Sequence, residues 1–113
     1  MAAVRLSRGE IYLVSPAPRH DPKRARALVI VSRQTLCESK ADKVVCAPIN
    51  TNADGRSTEV AVGVEEGLKH ASVINCDQLL LIPKSALTNY VGSLSLKKLR
   101  DLRASLRIAL DLD

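Results

Sequence analysis

Charged side chains stand at a few positions where the neighbouring sequence is apolar, and these positions could support chemistry. Arg26 lies where a basic loop meets the apolar run 27–31, and Asp77 interrupts the apolar segments 73–74 and 79–80. A carboxylate among core residues needs a partner, because burial otherwise raises its pKa. Arg26 is the natural partner for Asp77. Such a pair indicates either an ion pair that fixes strand register or an acid/base or phosphate-binding site.

Other polar groups are grouped near these two residues. The proline-bracketed loop before Arg26 carries Arg19, His20, Asp21, Lys23 and Arg24, and a charged loop on a rigid strand is a common place for binding. Asn50, Thr51 and Asn52 follow another apolar run, while Asn75 and Gln78 flank Asp77. We interpret His70, which stands beside Ser72, as a loop histidine. No Ser/His/Asp triad spacing, phosphate-binding glycine loop or metal-ligand cluster is found, so the sequence predicts neither metal nor cofactor.

The composition favours an anionic partner. The chain has 113 residues, a formal net charge of +5 and a pI of about 9.4, which suits nucleic acid or an acidic protein. Tyr12 and Tyr90 are its only aromatic residues. This scarcity argues against binding single strands by stacking bases on aromatic side chains. Phosphate contacts and polar loop groups would have to carry nucleic-acid binding.

The cysteines and the hydropathy indicate a protein of the reducing cytoplasm. Cys37, Cys46 and Cys76 are odd in number and lack metal-ligand spacing, so they predict neither a disulfide framework nor a zinc site. Cys46 and Cys76 lie in apolar runs and are expected to be small core residues. We find no signal peptide and no run of transmembrane length, and therefore expect a cytoplasmic protein without membrane contact.

The pattern predicts one domain, residues 1–113, that is mainly β with a C-terminal helix. Strands are expected at residues 8–14, 27–32, 43–49, 58–62, 72–80 and 91–94, with a helical turn within 33–43. The second strand is continuously apolar and should be covered on both faces. Asp54-Gly55 is the strongest turn signal in the loop that follows the third strand.

A helix should follow, with Ser95 as its N-cap. Its expected core-facing residues recur every three or four positions: Leu96, Leu99, Leu102, Leu106 and Leu110. The opposite face is cationic. We interpret this face as solvated, with a nucleic-acid stripe as the less favoured alternative. Several short strands and one such helix predict a small, strongly curved sheet or barrel.

The order of these features resembles the MazF/PemK/Kid family of toxin–antitoxin toxins. The segments that carry the resemblance are 8–11, the basic loop into 26–32, 47–52, 76–78 and the helix from Ser95, in that order. The resemblance implies an SH3-like barrel with a C-terminal helix, and a homodimer. It further implies sequence-specific, metal-independent cleavage of single-stranded RNA to a 2′,3′-cyclic phosphate and a 5′-hydroxyl. The expected substrate is mRNA, tRNA or rRNA, and the expected inhibitor is an acidic, partly disordered antitoxin.

Carried over by position, Arg26 matches the catalytic arginine of the family, and Asp77 with Gln78 matches its Asp-Gln motif. His20 and Asp21 fall on functional loop positions. Two departures stand out. Asn50 occupies the usual threonine position, and Asn75 stands where some members have arginine. Thr51 would replace that threonine only if the strand shifted by one residue, which reverses side-chain direction.

The resemblance assigns roles to these residues. Arg26 would stabilise the pentacoordinate phosphate, Asp77 or His20 would act as base, and Asn50 or Thr51 would hold a phosphate oxygen. The RNA-binding residues would be Arg19, Asp21, Lys23, Arg24, Asn52, Asn75 and Gln78. Two alternatives remain open at this point. One is a toxin similar to CcdB that binds DNA gyrase without catalysis, and the other is a relative that has lost its chemistry.

Overall fold

A computed structural model describes residues 5–15 and 25–113 of the chain. Its strands are β1 (Glu10–Val14), β2 (Arg26–Ile30), β3 (Lys43–Asn50), β4 (Glu59–Val62), β5 (Ser72–Asn75), β6 (Leu80–Pro83) and β7 (Asn89–Ser93). Its helices are α1 (Gln34–Cys37) and α2 (Leu96–Ala109). Short 3₁₀ turns occupy Val64–Glu66 and Lys84–Ala86. The protein is therefore mainly β with a C-terminal helix, as the sequence predicts.

The strands form one antiparallel, curled sheet. Its order is β4-β5-β3-β2-β1-β7, and β6 also pairs with β3. β3 is the central strand, because β2 lies along one of its edges while β5 and β6 share the other. A strand with neighbours on both edges is rigidly held, so residues at its end occupy defined positions.

Alternation along the strands directs apolar side chains into two cores. The inner core contains Val29, Ala47 and Ile49 together with buried residues from β4, β5 and α2. The outer core contains Leu28 and Cys46 together with Cys37 of α1. β2 contributes to both cores, which confirms that this strand is covered on both faces. Cys46 and Cys76 are both buried, as expected for small core residues.

α2 closes the inner core. Ser95 caps it by accepting a hydrogen bond from the Lys98 backbone at 3.2 Å, which confirms the predicted N-cap. Leu102 is fully buried, and Leu99 and Leu106 pack against the same core. Leu96 and Leu110 are 74% and 52% exposed, so the prediction that all five leucines face the sheet is wrong. These two residues stand at the ends of the helix, beyond the part that covers the core.

The prediction of one strand over residues 72–80 is also wrong. The chain leaves β5 after Asn75, turns, and enters β6 at Leu80. The Asn75 side chain causes this turn, since its Oδ1 accepts a hydrogen bond from the Asp77 backbone at 2.9 Å. Asp77 consequently lies in a turn with a side chain that is 37% exposed, rather than inside a buried strand.

No helix in the described ranges is long and apolar enough to cross a membrane.

Candidate active site

Arg26 and Asn50 lie side by side at the ends of two paired strands. β2 and β3 pair with Leu28 opposite Pro48 and Ile30 opposite Cys46, and the same register brings Arg26 opposite Asn50. Opposite residues of an antiparallel pair point to the same face. The Arg26 guanidinium accordingly donates a hydrogen bond to Asn50 Oδ1 at 3.3 Å. This contact holds an exposed, permanently charged fork at the edge of the outer face.

A proline in β3 makes room for the turn that carries Asp77. β5 pairs with Ile49 and Asn50, and β6 pairs with Lys43–Cys46. Ala47 and Pro48 are thus left without a strand partner on that edge. Pro48 has no N–H to offer a strand, and this explains why the edge can be left open there. The Asp77 turn joins β5 to β6 across this gap.

Asp77 is held by residues of the loop between β3 and β4. Its Oδ2 accepts a hydrogen bond from the Thr58 hydroxyl at 2.6 Å and lies 3.9 Å from the Arg56 guanidinium. The predicted pairing of Asp77 with Arg26 is therefore wrong, because Arg26 bonds to Asn50 instead. Within the described residues both contacts of the carboxylate are made by Oδ2.

Asn50 connects the two halves of this site. It pairs with Val73 across β3 and β5, and Asn75, two residues further along β5, shares a face with Val73. Alternate residues of a strand are about 7 Å apart. Arg26, Asn50, Val73 and Asn75 therefore lie on one face of the sheet, and Asp77 lies in the turn that follows Asn75.

The loop between β3 and β4 is organised by the first residue of β4. The Glu59 carboxylate accepts hydrogen bonds from the Asp54 backbone at 3.1 and 3.2 Å and from the Arg56 backbone at 3.0 Å. The hydrogen bond from Arg56 is the main reason that the pKa of Glu59 lies below its ordinary value. Gly55 has a φ of 73°, a left-handed conformation that suits glycine. The turn of this loop lies at residues 57–58, where the Glu59 backbone donates to the Arg56 oxygen at 3.0 Å, so the prediction of the turn at Asp54-Gly55 is wrong.

The remaining predicted residues divide into two groups. Thr51, Asn52 and Gln78 are exposed near the two halves of the site, and Thr51 follows β3 without the one-residue shift that would bring it beside Arg26. The second group lies outside the described residues and comprises Arg19, His20, Asp21, Lys23 and Arg24. His70 is exposed, and the contact described there is from the Ser72 hydroxyl to its backbone oxygen.

Three residues near Asp77 were not predicted from the sequence: Arg56, Thr58 and Glu59. Their roles depend on the loop fold, since Glu59 reaches back three and five residues to backbone N–H groups. The Asp54-Gly55 turn signal indicated a tight loop here. Nothing in the residue types indicated which side chain would hold it.

Several other titratable groups are unsuited to proton transfer near neutral pH. Burial raises the pKa of Tyr12 to about 12, that of Cys46 to about 12 and that of Cys76 to about 11. All three side chains are therefore neutral at pH 7. No group of three or more metal-ligating side chains occurs in the described parts of the chain.

Comparison with known proteins identifies the family and the fold of this chain. Residues 7–110 match the model of a family described as PemK-like, MazF-like toxin of type II toxin-antitoxin system. "Endoribonuclease MazF3" of Mycobacterium tuberculosis is 33% identical over 90 residues, which cover 80% of this chain and 86% of that protein.

Two solved structures have the same fold. Mycobacterium tuberculosis toxin MazF-mt6 superposes with a TM-score of 0.79 at 30% identity, covering 92% of this chain and 98% of that one. An endoribonuclease from a mycobacterial species, solved in complex with its cognate antitoxin, gives a TM-score of 0.81 at 23% identity, covering 96% and 97%. The curled sheet closed by a C-terminal helix is the fold of these toxins. The family match over nearly the whole chain shows that the protein belongs to the PemK-like, MazF-like toxins of type II toxin–antitoxin systems.

Proposed function

We propose that this protein is a sequence-specific endoribonuclease toxin that cleaves single-stranded RNA without a metal ion and so stops translation and growth. The observation that carries the proposal is the Arg26 guanidinium held by Asn50 at an exposed edge of the sheet. Asp77 lies in the turn that follows β5, the strand that pairs with Asn50. A fixed cation and a carboxylate are groups that assist phosphate cleavage by a neighbouring hydroxyl.

The reaction is an in-line displacement at phosphorus. The ribose 2′-oxygen forms a bond to the phosphorus while the bond from phosphorus to the 5′-oxygen breaks. The 2′-hydroxyl gives its proton to a base, and the leaving 5′-oxygen takes up a proton. The products are a 2′,3′-cyclic phosphate and a 5′-hydroxyl, so neither a metal-bound water nor a cofactor enters the proposed steps.

Each residue contributes according to its chemistry. Arg26 stabilises the charge that develops on the pentacoordinate phosphate, since guanidinium binds two phosphate oxygens at once and stays charged. Asn50 orients Arg26 through Oδ1, and its amide N–H groups are free to hold a phosphate oxygen. Asp77 is the base that the described structure offers, and His20 is the second candidate. The proposed RNA contacts are made by Asn52, Asn75, Gln78 and the basic residues 19–24.

The proposal includes a protein inhibitor and a second copy of the chain. An acidic, partly disordered antitoxin suits the net charge of +5 and would compete with RNA for the site. Ile108, Leu110 and Leu112 are exposed at the end of α2 beside Arg103 and Arg107. An apolar patch with a cationic rim supports a protein interface there, in keeping with a homodimer of a cytoplasmic toxin.

The test is incubation of the purified protein with long single-stranded RNA in EDTA, with Arg26→Ala in parallel. We expect discrete fragments that end in cyclic phosphate. The variant should cleave about 10²–10³ times more slowly, the usual cost of removing one group that stabilises transition-state charge. Arg26 is exposed, so circular dichroism should show an unchanged fold. Intact RNA at high protein concentration would contradict the proposal.

A gyrase-binding toxin similar to CcdB is the second candidate. The family match does not favour it, and gyrase binding gives no reason for the ordered Arg26–Asn50 contact. The same variant separates the two, because Arg26→Ala should abolish toxicity in growing cells for a nuclease and leave it intact for a gyrase binder.

A further inference from the structure

The loop between β3 and β4 brings a second arginine to the Asp77 side of the site. The Arg56 guanidinium lies 3.9 Å from Asp77 Oδ2 and 3.9 Å from Asp54 Oδ2, and its side chain is 64% exposed. Both distances exceed the range of a hydrogen bond. The five N–H donors of Arg56 are therefore not used up by its two acidic neighbours.

The backbone at Arg56 is nevertheless fixed. Its amide donates to Glu59 Oε1 at 3.0 Å, and the Asp54 amide donates to the same carboxylate. Glu59 opens β4 and pairs with Asn75 of β5, the residue whose side chain makes the Asp77 turn. The loop and the turn are thus fastened at the same end of the β4–β5 pair. Arg56 has an anchored main chain and a guanidinium free to contact a ligand.

The carboxylates near the Arg56 guanidinium indicate a role for it in binding RNA. Two carboxylates lie beside it, those of Asp54 and Asp77, and a third, that of Glu59, accepts a hydrogen bond from the Arg56 backbone. An RNA strand that approaches Asp77 meets their negative field, and a cation at the same place is needed to offset it. Arginine suits this position because its planar fork matches two phosphate oxygens.

We propose that Arg56 binds an RNA phosphate beside Asp77 and that Glu59 is the residue that positions it. The inference rests on the proposed nuclease function and adds a substrate-binding residue to it. Arg26 and Arg56 then contact RNA on the two sides of Asn50 and the Asp77 turn, one from the sheet and one from the loop.

The experiment measures binding apart from cleavage. Short 2′-O-methylated RNA oligonucleotides that tile the transcript of the cleavage assay cannot be cut, because their attacking hydroxyl is blocked. Arg56→Ala is expected to weaken binding about tenfold, the cost of losing a hydrogen bond to a charged group. The dependence of log K on log salt should become less steep by about 0.7, the value for one phosphate contact on a single strand. Arg56→Lys should keep the steepness.

A matched control and a positioning variant complete the design. Lys97→Ala removes a cation that is also paired with a carboxylate, that of Asp101 on α2, and should leave binding unchanged. Glu59→Gln removes a negative charge, so a purely electrostatic role predicts tighter RNA binding. A positioning role predicts weaker binding. Combined with Arg56→Ala, Glu59→Gln should then cause no further loss.

The outcomes separate this inference from the proposed function. If the wild-type protein cuts RNA while Arg56→Ala binds the oligonucleotides as the wild type does, the inference is wrong and the function stands. If the wild-type protein leaves RNA intact, the proposed function fails, and the salt dependence of oligonucleotide binding still decides whether Arg56 contacts phosphate. Tighter binding by Glu59→Gln would contradict the positioning role and leave Arg56 to be judged by its own variants.

Discussion

The two halves of the site are held by different kinds of structure. Arg26 and Asn50 are neighbours because β2 and β3 pair in one register, and that register is set by buried side chains on both faces of the sheet. Asp77 is placed by side chains of a loop and a turn, namely Thr58, Asn75 and the Glu59 that orders Arg56. The Arg26–Asn50 half is positioned by strands whose buried side chains form the core. The Asp77 half depends on a few local hydrogen bonds.

This difference determines what can change without loss of the fold. A shift in register would carry Arg26 away from Asn50 and turn a whole set of core residues outward, so the position is strongly specified. The Asp77 half has no such constraint, because it is held by a few hydrogen bonds to carboxylates, each of which contributes about 1.5–3 kcal/mol. Substitutions there should alter rate and substrate choice while the fold persists.

Within the loop-held half, the largest effect is expected at the proposed base. Asp77→Asn keeps an oxygen that can accept the hydrogen bond from the Thr58 hydroxyl. The amide cannot act as a base, whereas the carboxylate can. The rate of RNA cleavage should fall about 10²-fold, a usual contribution of a general base. Single-turnover cleavage of the RNA transcript by the purified variant measures the loss.

Asp54→Asn is the matched control for that variant. Asp54 is the other carboxylate beside Arg56, and it is exposed. Its replacement should leave the cleavage rate as it is. An equal loss of rate in both variants would show that negative charge near Arg56 matters, and that Asp77 is not the base.

A smaller effect is expected in the sheet-held half, at the partner of Arg26. Asn50→Ala removes the acceptor that orients the guanidinium, and cleavage should fall about tenfold, corresponding to one hydrogen bond to a charged group. Asn50→Thr restores an oxygen on the same face and should recover most of the rate. Since Asn50 is half-exposed, urea unfolding should change by less than about 0.5 kcal/mol. An Asn50→Ala enzyme with wild-type kinetics would show that the contact does not orient Arg26.

The smallest effect concerns local opening of the structure. The reactivity of two buried cysteines measures this opening without a substitution in either half of the site. Cys46 lies in β3, whereas Cys76 begins the Asp77 turn. Both thiols react only when the structure opens locally, because burial raises the pKa of each to about 11 or 12. We expect Cys76 to be alkylated faster than Cys46 in native buffer at pH 8, followed by mass spectrometry of the peptides. Equal rates would mean that the two halves open together.

The elements that were predicted correctly are those whose apolar residues follow a regular pattern in the sequence. Apolar runs and alternation predicted the positions of β1 to β4, and the spacing of Leu99, Leu102 and Leu106 predicted the buried face of α2. The two outer leucines of that series were misassigned because periodicity does not say where a helix leaves the core. Asp77 was misassigned for a related reason. An Asn that bonds to a backbone two residues on ends a strand, and an apolar pattern does not record this bond.

Within the site, the sequence identified side chains but not their partners. Arg26, Asn50 and Asp77 stood out because polar groups interrupt apolar runs, and this pattern can be read from the sequence alone. The prediction that Asp77 pairs with Arg26 was wrong because it assumed that these two side chains lie close together. Which cation reaches a carboxylate depends on loop conformation, and Arg56 comes from a loop whose shape is set by Glu59. The resemblance to toxins was predicted from the order of several weak motifs, and the family match confirms it.

The burial of Leu102 in α2 has a consequence for when the site can assemble during synthesis of the chain. Arg26 and Asp77 precede α2 in the chain, and the inner core that supports their strands is closed by that helix. Domains fold as units during synthesis. The nascent chain is therefore expected to lack an assembled site until α2 has emerged, and a chain stopped before Leu96 should show no cleavage.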